Sequence, residues 1–255
     1  MTLYMLRLNP DLRRANAWGA AQRLAPPGAD SGYLWHALLT AAFGDLAPKP
    51  WRLVEPPRAA AHLLAYARAD AAALAERAAL YADPAVAAAL GVDTLAAKRM
   101  PDVFRAGQKL GFDVRLRPVV RSSFRLDGSG RAGRDQRIEI DAALHASLLA
   151  RESDAQAPRA DAETIYKTWL AQRLATGGAR AEEACMKLLW RRRSALVRRD
   201  AARRIAVHGR KGGGPDVALS GVLEVAEPQA FANMLAQGVG RHRAFGFGMI
   251  LLRPV

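Results

Sequence analysis

Tyr33 and His36 lie three residues apart in Asp30-Ser-Gly-Tyr-Leu-Trp-His-Ala-Leu-Leu-Thr-Ala-Ala-Phe43, a spacing that brings both rings to one side of a helix, one turn apart. An imidazole with an ordinary pKa near neutrality is the natural proton carrier of such a pair. The plain alternative is a histidine on a partly exposed helix face. A second stretch with chemical potential is Gly238-Val-Gly-Arg-His-Arg-Ala-Phe-Gly-Phe-Gly-Met-Ile-Leu-Leu-Arg-Pro-Val255. Gly238, Gly240, Gly246 and Gly248 surround Arg241, His242 and Arg243, so backbone amides can come close to a ligand, while guanidinium groups favour phosphate by charge and paired hydrogen bonds. A loop whose glycines only permit a tight turn before an edge strand fits the same residues. It is not a P-loop, because Gly-Lys-Ser/Thr is missing.

Charge points the same way. Lys and Arg total 38 against 24 Asp and Glu, a formal net charge of +14, which is the footprint of a protein that meets a polyanion, nucleic acid first. A GC-rich coding sequence explains the preference for Arg over Lys and the abundance of Ala, but not the shortage of acids. Arg121, Arg191, Arg192, Arg193, Arg210 and Lys211 join Arg241 and Arg243 as phosphate-contact candidates, each of which taken singly also fits a solvated surface charge. The one cysteine, Cys185, excludes an internal disulfide and a Cys-based zinc cluster and points to a reducing compartment. No His/Cys/carboxylate spacing suggests a metal site, and no cofactor is expected. Arg7 interrupts the N-terminal apolar stretch and no apolar run approaches bilayer length, so a cytoplasmic protein without a membrane partner is expected.

The elements that must hold these residues follow from periodicity. Leu3 to Leu8 reads as a strand; the segment with Arg13, Arg14, Arg23 and Pro26-Pro27-Gly28 reads as a loop. Asp30 or Ser31 caps a helix to about Phe43, with Leu34, Leu38 and Ala41 on the packed side and Tyr33, His36 and Thr40 on the other. Strands are expected over Trp51–Glu55 and Ala61–Arg68, then a helix from Asp70 to about Tyr81, continued over Pro84–Leu90. From Lys109, Leu110, Phe112, Val114 and Leu116 alternate with Asp113, Arg115 and Arg117, a half-buried strand with a basic open face. The order β-α-β-β-α-β is the ferredoxin-like unit. Gly128-Ser-Gly-Arg-Ala-Gly133 marks a basic connection. Ile138 and Ile140 restart the pattern, a helix spans Ala162–Ala175, 180–199 leans to strand, Ala218–Val225 alternates as a strand, and Pro228–Gln237 is helical before the terminal loop and strand. The expected class is α+β: two tandem ferredoxin-like (RRM-like) domains at 1–120 and 137–255, joined by a basic linker at 121–136.

On these residues the chain resembles the repeat-associated RNA-binding superfamily of CRISPR systems. The terminal glycine-rich stretch is similar to the superfamily's signature. The Tyr33/His36 helix resembles the first helix of the CasE endoribonucleases of type I-E systems, the Cas-six group. Gly107 to Arg117 and Ser220 to Val225 are weaker echoes in the same order. The resemblance implies metal-independent cleavage of the CRISPR repeat transcript at the base of a stem-loop, with the product retained in a surveillance complex alongside other subunits. The 2′-hydroxyl of RNA is then the nucleophile, His36 acts as base or acid, and Tyr33 positions the reacting groups. The basic residues would hold an A-form stem by shape and backbone charge, so binding should weaken with salt. His208 is the reserve proton carrier, His242 a phosphate contact, and His62 and His145 packing residues. Two other readings remain: a non-catalytic RNA-binding subunit of the same superfamily, and a basic structural or ribosome-associated protein.

Overall fold

A computed structural model of the chain describes residues 2–24, 30–124, 137–199, 205–208 and 213–255. The first half begins with β1 (Tyr4–Leu8), α1 (Leu12–Ala21) and α2 (Gly32–Phe43). It continues with β2 (Trp51–Val54), β3 (His62–Ala67), α3 (Ala71–Tyr81), α4 (Pro84–Leu90) and β4 (Ala96–Arg99). Asp70 and Asp83 cap α3 and α4 through their side chains, each cap contributing roughly 1 kcal/mol. The four strands form an antiparallel sheet in the order β2-β3-β1-β4. Leu6, Leu8, Leu63 and Ala65 of this sheet share one core with Leu34, Leu38, Phe43, Leu74 and Val86 of the helices.

The second half comprises β5 (Lys109–Leu116), β6 (Val119–Ser122), β7 (Ile138–Asp141), α5 (Ala142–Ser153) and α6 (Ala162–Thr176). After these come β8 (Ala179–Arg180), β9 (Lys187–Ser194), β10 (Leu196–Arg199), β11 (Ile205–His208), β12 (Gly214–Val225), α7 (Pro228–Gln237) and β13 (Ile250–Arg253). Its sheet runs β13-β5-β12-β8, and β9 also pairs with β12, while β6–β7 and β10–β11 are separate two-stranded ribbons. Phe112, Val114, Leu116, Val217 and Leu219 pack against Tyr166, Leu170, Phe231 and Leu235. Both sheets have the ferredoxin-like order, with the fourth and third strands flanking the first and the second outside the third.

Three expectations are corrected. The segment after β1 is not a loop: Asp11 accepts from the backbone N–H groups of Arg13 and Arg14 and caps α1, and Pro26-Pro27-Gly28 lies beyond the helix and outside the described residues. Lys109–Leu116 does not close the first sheet but opens the second, bonded to β12 and β13. The short β4, all four of its residues exposed, takes the place assigned to it, and without an alternating apolar pattern it left no periodic signal. The sheets therefore divide between Arg99 and Lys109, and Arg121 and Ser122, expected in the linker, lie on β6 beyond that division; 125–136 lies outside the described residues. Within α2, Ala42 faces the core and Ala41 is exposed.

Candidate active site and nucleic-acid interface

Leu34, Trp35, Leu38, Leu39, Ala42 and Phe43 seat α2 on the first core, which leaves Tyr33 and His36 partly exposed and Thr40 exposed. The Tyr33 and His36 rings stand 6.1 Å apart, edge to face. Both meet Phe245 of the terminal loop: Tyr33 stacks on it at 6.2 Å and His36 meets it edge-on at 5.3 Å. The loop is anchored to the first half by Trp51, whose indole N–H donates to the Ala244 carbonyl at 3.0 Å. Gly32 makes the approach possible, since a Cβ there would lie 2.5 Å from the Phe245 carbonyl oxygen. Residues some two hundred positions apart thus build one site.

Burial lowers the His36 pKa, and the Lys49 ammonium lowers it further. The imidazole is therefore neutral at pH 7 and open to a proton. Among the described residues its ring nitrogens make no hydrogen bond. Beside Phe245 lies a cleft of about 900 Å³ whose lining carries Lys49, Arg68, Arg241 and Arg243 against Asp45 and Glu139. Lys49 and Arg68 have no ion-pair partner among the described residues, whereas Asp45 is bound by Arg77 at 2.8 Å.

The basic loop residues are already engaged within the protein. Glu139 of β7 holds the His242 ring at 2.7 Å and the Arg241 guanidinium at 2.5 Å. Arg243 donates to the Gln237 carbonyl at the end of α7, at 2.8 Å. The hydrogen bond from His242, with the nearby positive charge, pulls the Glu139 pKa down to about 2. Because the folded value lies below that of a free glutamate, about 4.3, the clamp stabilises the fold above that pH and loses this contribution as pH falls towards 2. In thermal melts, Glu139→Gln should therefore lower stability at neutral pH, with the difference from wild type vanishing towards pH 2; a constant difference would contradict the clamp.

All four loop glycines have positive φ. At Gly240 and Gly246 a Cβ would also meet the rings of Trp169 and Trp51 at 2.7 and 2.8 Å, so at these two positions glycine serves the packing of the loop itself.

The three consecutive arginines do not form one patch, because neighbours on a strand face opposite sides. Arg191 lies over the Tyr166 ring at 5.6 Å, and Arg193 bonds the Gly213 carbonyl and approaches Asp141 at 3.9 Å. Arg192 pairs with Asp216 at 2.9 Å on the other face. Arg121 is exposed on β6, in register with Glu139. Arg210 and Lys211 lie outside the described residues, as does the side chain of His208. His145 meets Phe124 edge-on at 5.5 Å, and His62 is partly exposed on β3.

The expected open basic face of β5 is closed. Asp113 is bonded by Arg52 of the first half, and Arg117 is 5% exposed, donating to the Ser194 hydroxyl and carbonyl at 3.1 and 3.0 Å. Arg115 lies between Asp30 and Asp216, 2.7 Å from each. The alternation on β5 was legible, but the first half that covers its polar side could not be read from it. Lys49, Phe245 and Glu139 also escaped the sequence reading as site residues; only Phe245 carried a signal, its place inside the glycine-rich stretch.

Among the described residues no group of three or more His, Cys, Asp or Glu side chains could hold a metal, and no helix is long and apolar enough to cross a membrane. A family model described as CRISPR associated protein matches residues 3–254. No curated protein matches the chain. Among solved structures, the chain is similar to a CRISPR endoribonuclease Cse3 bound to a 19 nt RNA, with 21% identity, full coverage of both chains and a TM-score of 0.60. It is also similar to Thermus thermophilus Cse3 bound to an RNA representing a pre-cleavage complex, with 19% identity, full coverage of both chains and a TM-score of 0.58. A chain of a CRISPR RNA-guided surveillance complex in a pre-nicking state matches with 17% identity, 99% and 100% coverage and a TM-score of 0.54. These likenesses are likenesses of fold.

Proposed function

We propose, from the premise that this chain belongs to the CRISPR-associated protein family, that it is an endoribonuclease that cuts CRISPR repeat RNA at the base of a stem-loop and leaves a 2′,3′-cyclic phosphate. The observation that carries the reading is the meeting of Tyr33 and His36 with Phe245 beside a cleft lined by Lys49, Arg68, Arg241 and Arg243.

His36 takes the proton of the 2′-hydroxyl, a role suited to an imidazole kept neutral by burial. The oxygen so activated attacks the adjacent phosphorus, and the bond to the 5′-oxygen of the next nucleotide breaks. That oxygen takes up a proton from water while the His36 imidazolium returns its own to solvent. Tyr33 places its hydroxyl on the reacting phosphate or 2′-oxygen. RNA carries its own nucleophile, so the reaction runs without a metal. The cations of the cleft hold the phosphate, and Arg121, Arg191, Arg192, Arg193, Arg210, Lys211 and the amides of the terminal glycines contribute to RNA binding. Retention of the product by the chain as a subunit of a surveillance complex is supported by the likeness to a chain of such a complex.

Incubation with a repeat hairpin RNA in EDTA tests the reading. One defined cut is expected. Tight binding without a cut would replace it with a non-catalytic RNA-binding subunit, and neither binding nor cutting would end it.

A further inference from the structure

The entrance of α2 belongs structurally to the second half of the chain. The Asp30 N–H donates to the Ala195 carbonyl at 2.9 Å, and one Asp30 carboxylate oxygen accepts from Gly32 N–H at 2.7 Å. Ser31, the capping residue, makes no capping bond with its side chain, and Asp30 supplies an acceptor in its place. The other Asp30 oxygen accepts from Arg115 of β5 at 2.7 Å. Arg115 is in turn fixed by two bonds to Asp216 of β12, at 2.8 and 2.7 Å, and by the Phe247 ring beneath it at 4.3 Å. The side chains of Asp30, Arg115 and Asp216 are 7%, 11% and 0% exposed.

A buried ion pair is a poor source of stability, since desolvation offsets much of the attraction. What forked guanidinium bonds do supply is direction. We propose that Asp30 and Arg115 are positioning residues, through which the second half grips the start of α2 and sets where Tyr33 and His36 stand against Phe245. The inference rests on the reading of Tyr33 and His36 as the catalytic pair. Tyr33 is three residues from the grip and His36 six, so a shift of the helix entrance moves both reacting groups, and a displacement of about 1 Å can cost about a hundredfold in rate.

Asp30→Asn isolates the link. The amide oxygen can still accept from Gly32 and Arg115 keeps both bonds to Asp216, while the amide NH2, a donor, faces the Arg115 guanidinium and breaks the link without stranding a charge. Hydrogen exchange at the amides of Trp35 to Ala37 should quicken about tenfold while that of β1 and β12 is unchanged. Cleavage at saturating repeat RNA should slow about tenfold or more, with RNA affinity unchanged to within about twofold. In a His36→Ala background the same substitution should cost almost nothing further, because the two act through one group. Unchanged exchange in α2, cleavage at the wild-type rate, or losses that multiply in the double variant would each overturn the proposal. Should His36→Ala alone cleave like the wild type, the catalytic reading falls, and the exchange measurement decides the link by itself.

Discussion

His36→Ala is expected to slow cleavage of repeat RNA at saturation by about 10²- to 10⁴-fold, the usual contribution of a positioned general base, while RNA affinity stays the same. The ring is only partly buried and makes no hydrogen bond among the described residues, so its loss leaves no partner stranded and the fold intact. Burial and the Lys49 charge lower its pKa below the ordinary 6.5. A base must be unprotonated, so kcat/KM of the wild type, which reports the free enzyme, should rise with pH through a value below 6.5 and then level off. That rise should be missing from the residual activity of the alanine variant. A wild-type rate in His36→Ala, or a kcat/KM that only falls with pH over this range, would refute the assignment of His36 as the base.

The largest loss of stability is expected from Arg115→Met, about 3–5 kcal/mol, the cost of stranding buried charges by removing their partner. Asp30 and Asp216 would be left facing one another, with Arg192 alone still bonded to Asp216. In the wild type, burial by itself raises the Asp216 pKa, but the hydrogen bonds and charge of Arg115, then of Arg192, more than offset it and leave the value lowered. Pairing of Asp216 therefore stabilises the wild type above the unfolded value, about 3.9, and that contribution is lost as pH falls through the lower folded value. Without Arg115 the balance tips towards burial, the folded pKa rises above the unfolded one, and acid relieves the variant. Urea unfolding should show the full deficit at pH 7 and a smaller one at pH 5. A deficit under about 1 kcal/mol at pH 7 would mean that the pair is no more than a surface ion pair.

The sequence disclosed what local physics controls. The helix of Tyr33 and His36 was legible because apolar side chains recur along one side of it, and α7 because Pro228 opens it and Gly238 ends it. The strand at 109–116 was legible from period-two alternation. Hidden were α1, whose capping Asp11 was overshadowed by the later Pro26-Pro27-Gly28, and β4, whose exposed Ala-Ala-Lys-Arg has no pattern. Missing β4 passed the strand at 109–116 to the wrong sheet and moved the boundary between the halves with it.

Chemistry divides along the same line. Residue type and spacing were enough to bring imidazole and phenol to one helix face, and to mark the terminal stretch as basic and glycine-rich, because both depend only on near neighbours. Tertiary contacts decided that Phe245 joins those two stretches, that Lys49 and Arg68 remain free in the cleft among the described residues while Glu139 holds Arg241 and His242, and that the polar side of β5 is buried instead of open. Those outcomes turn on which distant carboxylate or ring comes within about 4 Å of a given cation, and the spacing of residues along the chain carries no record of that distance.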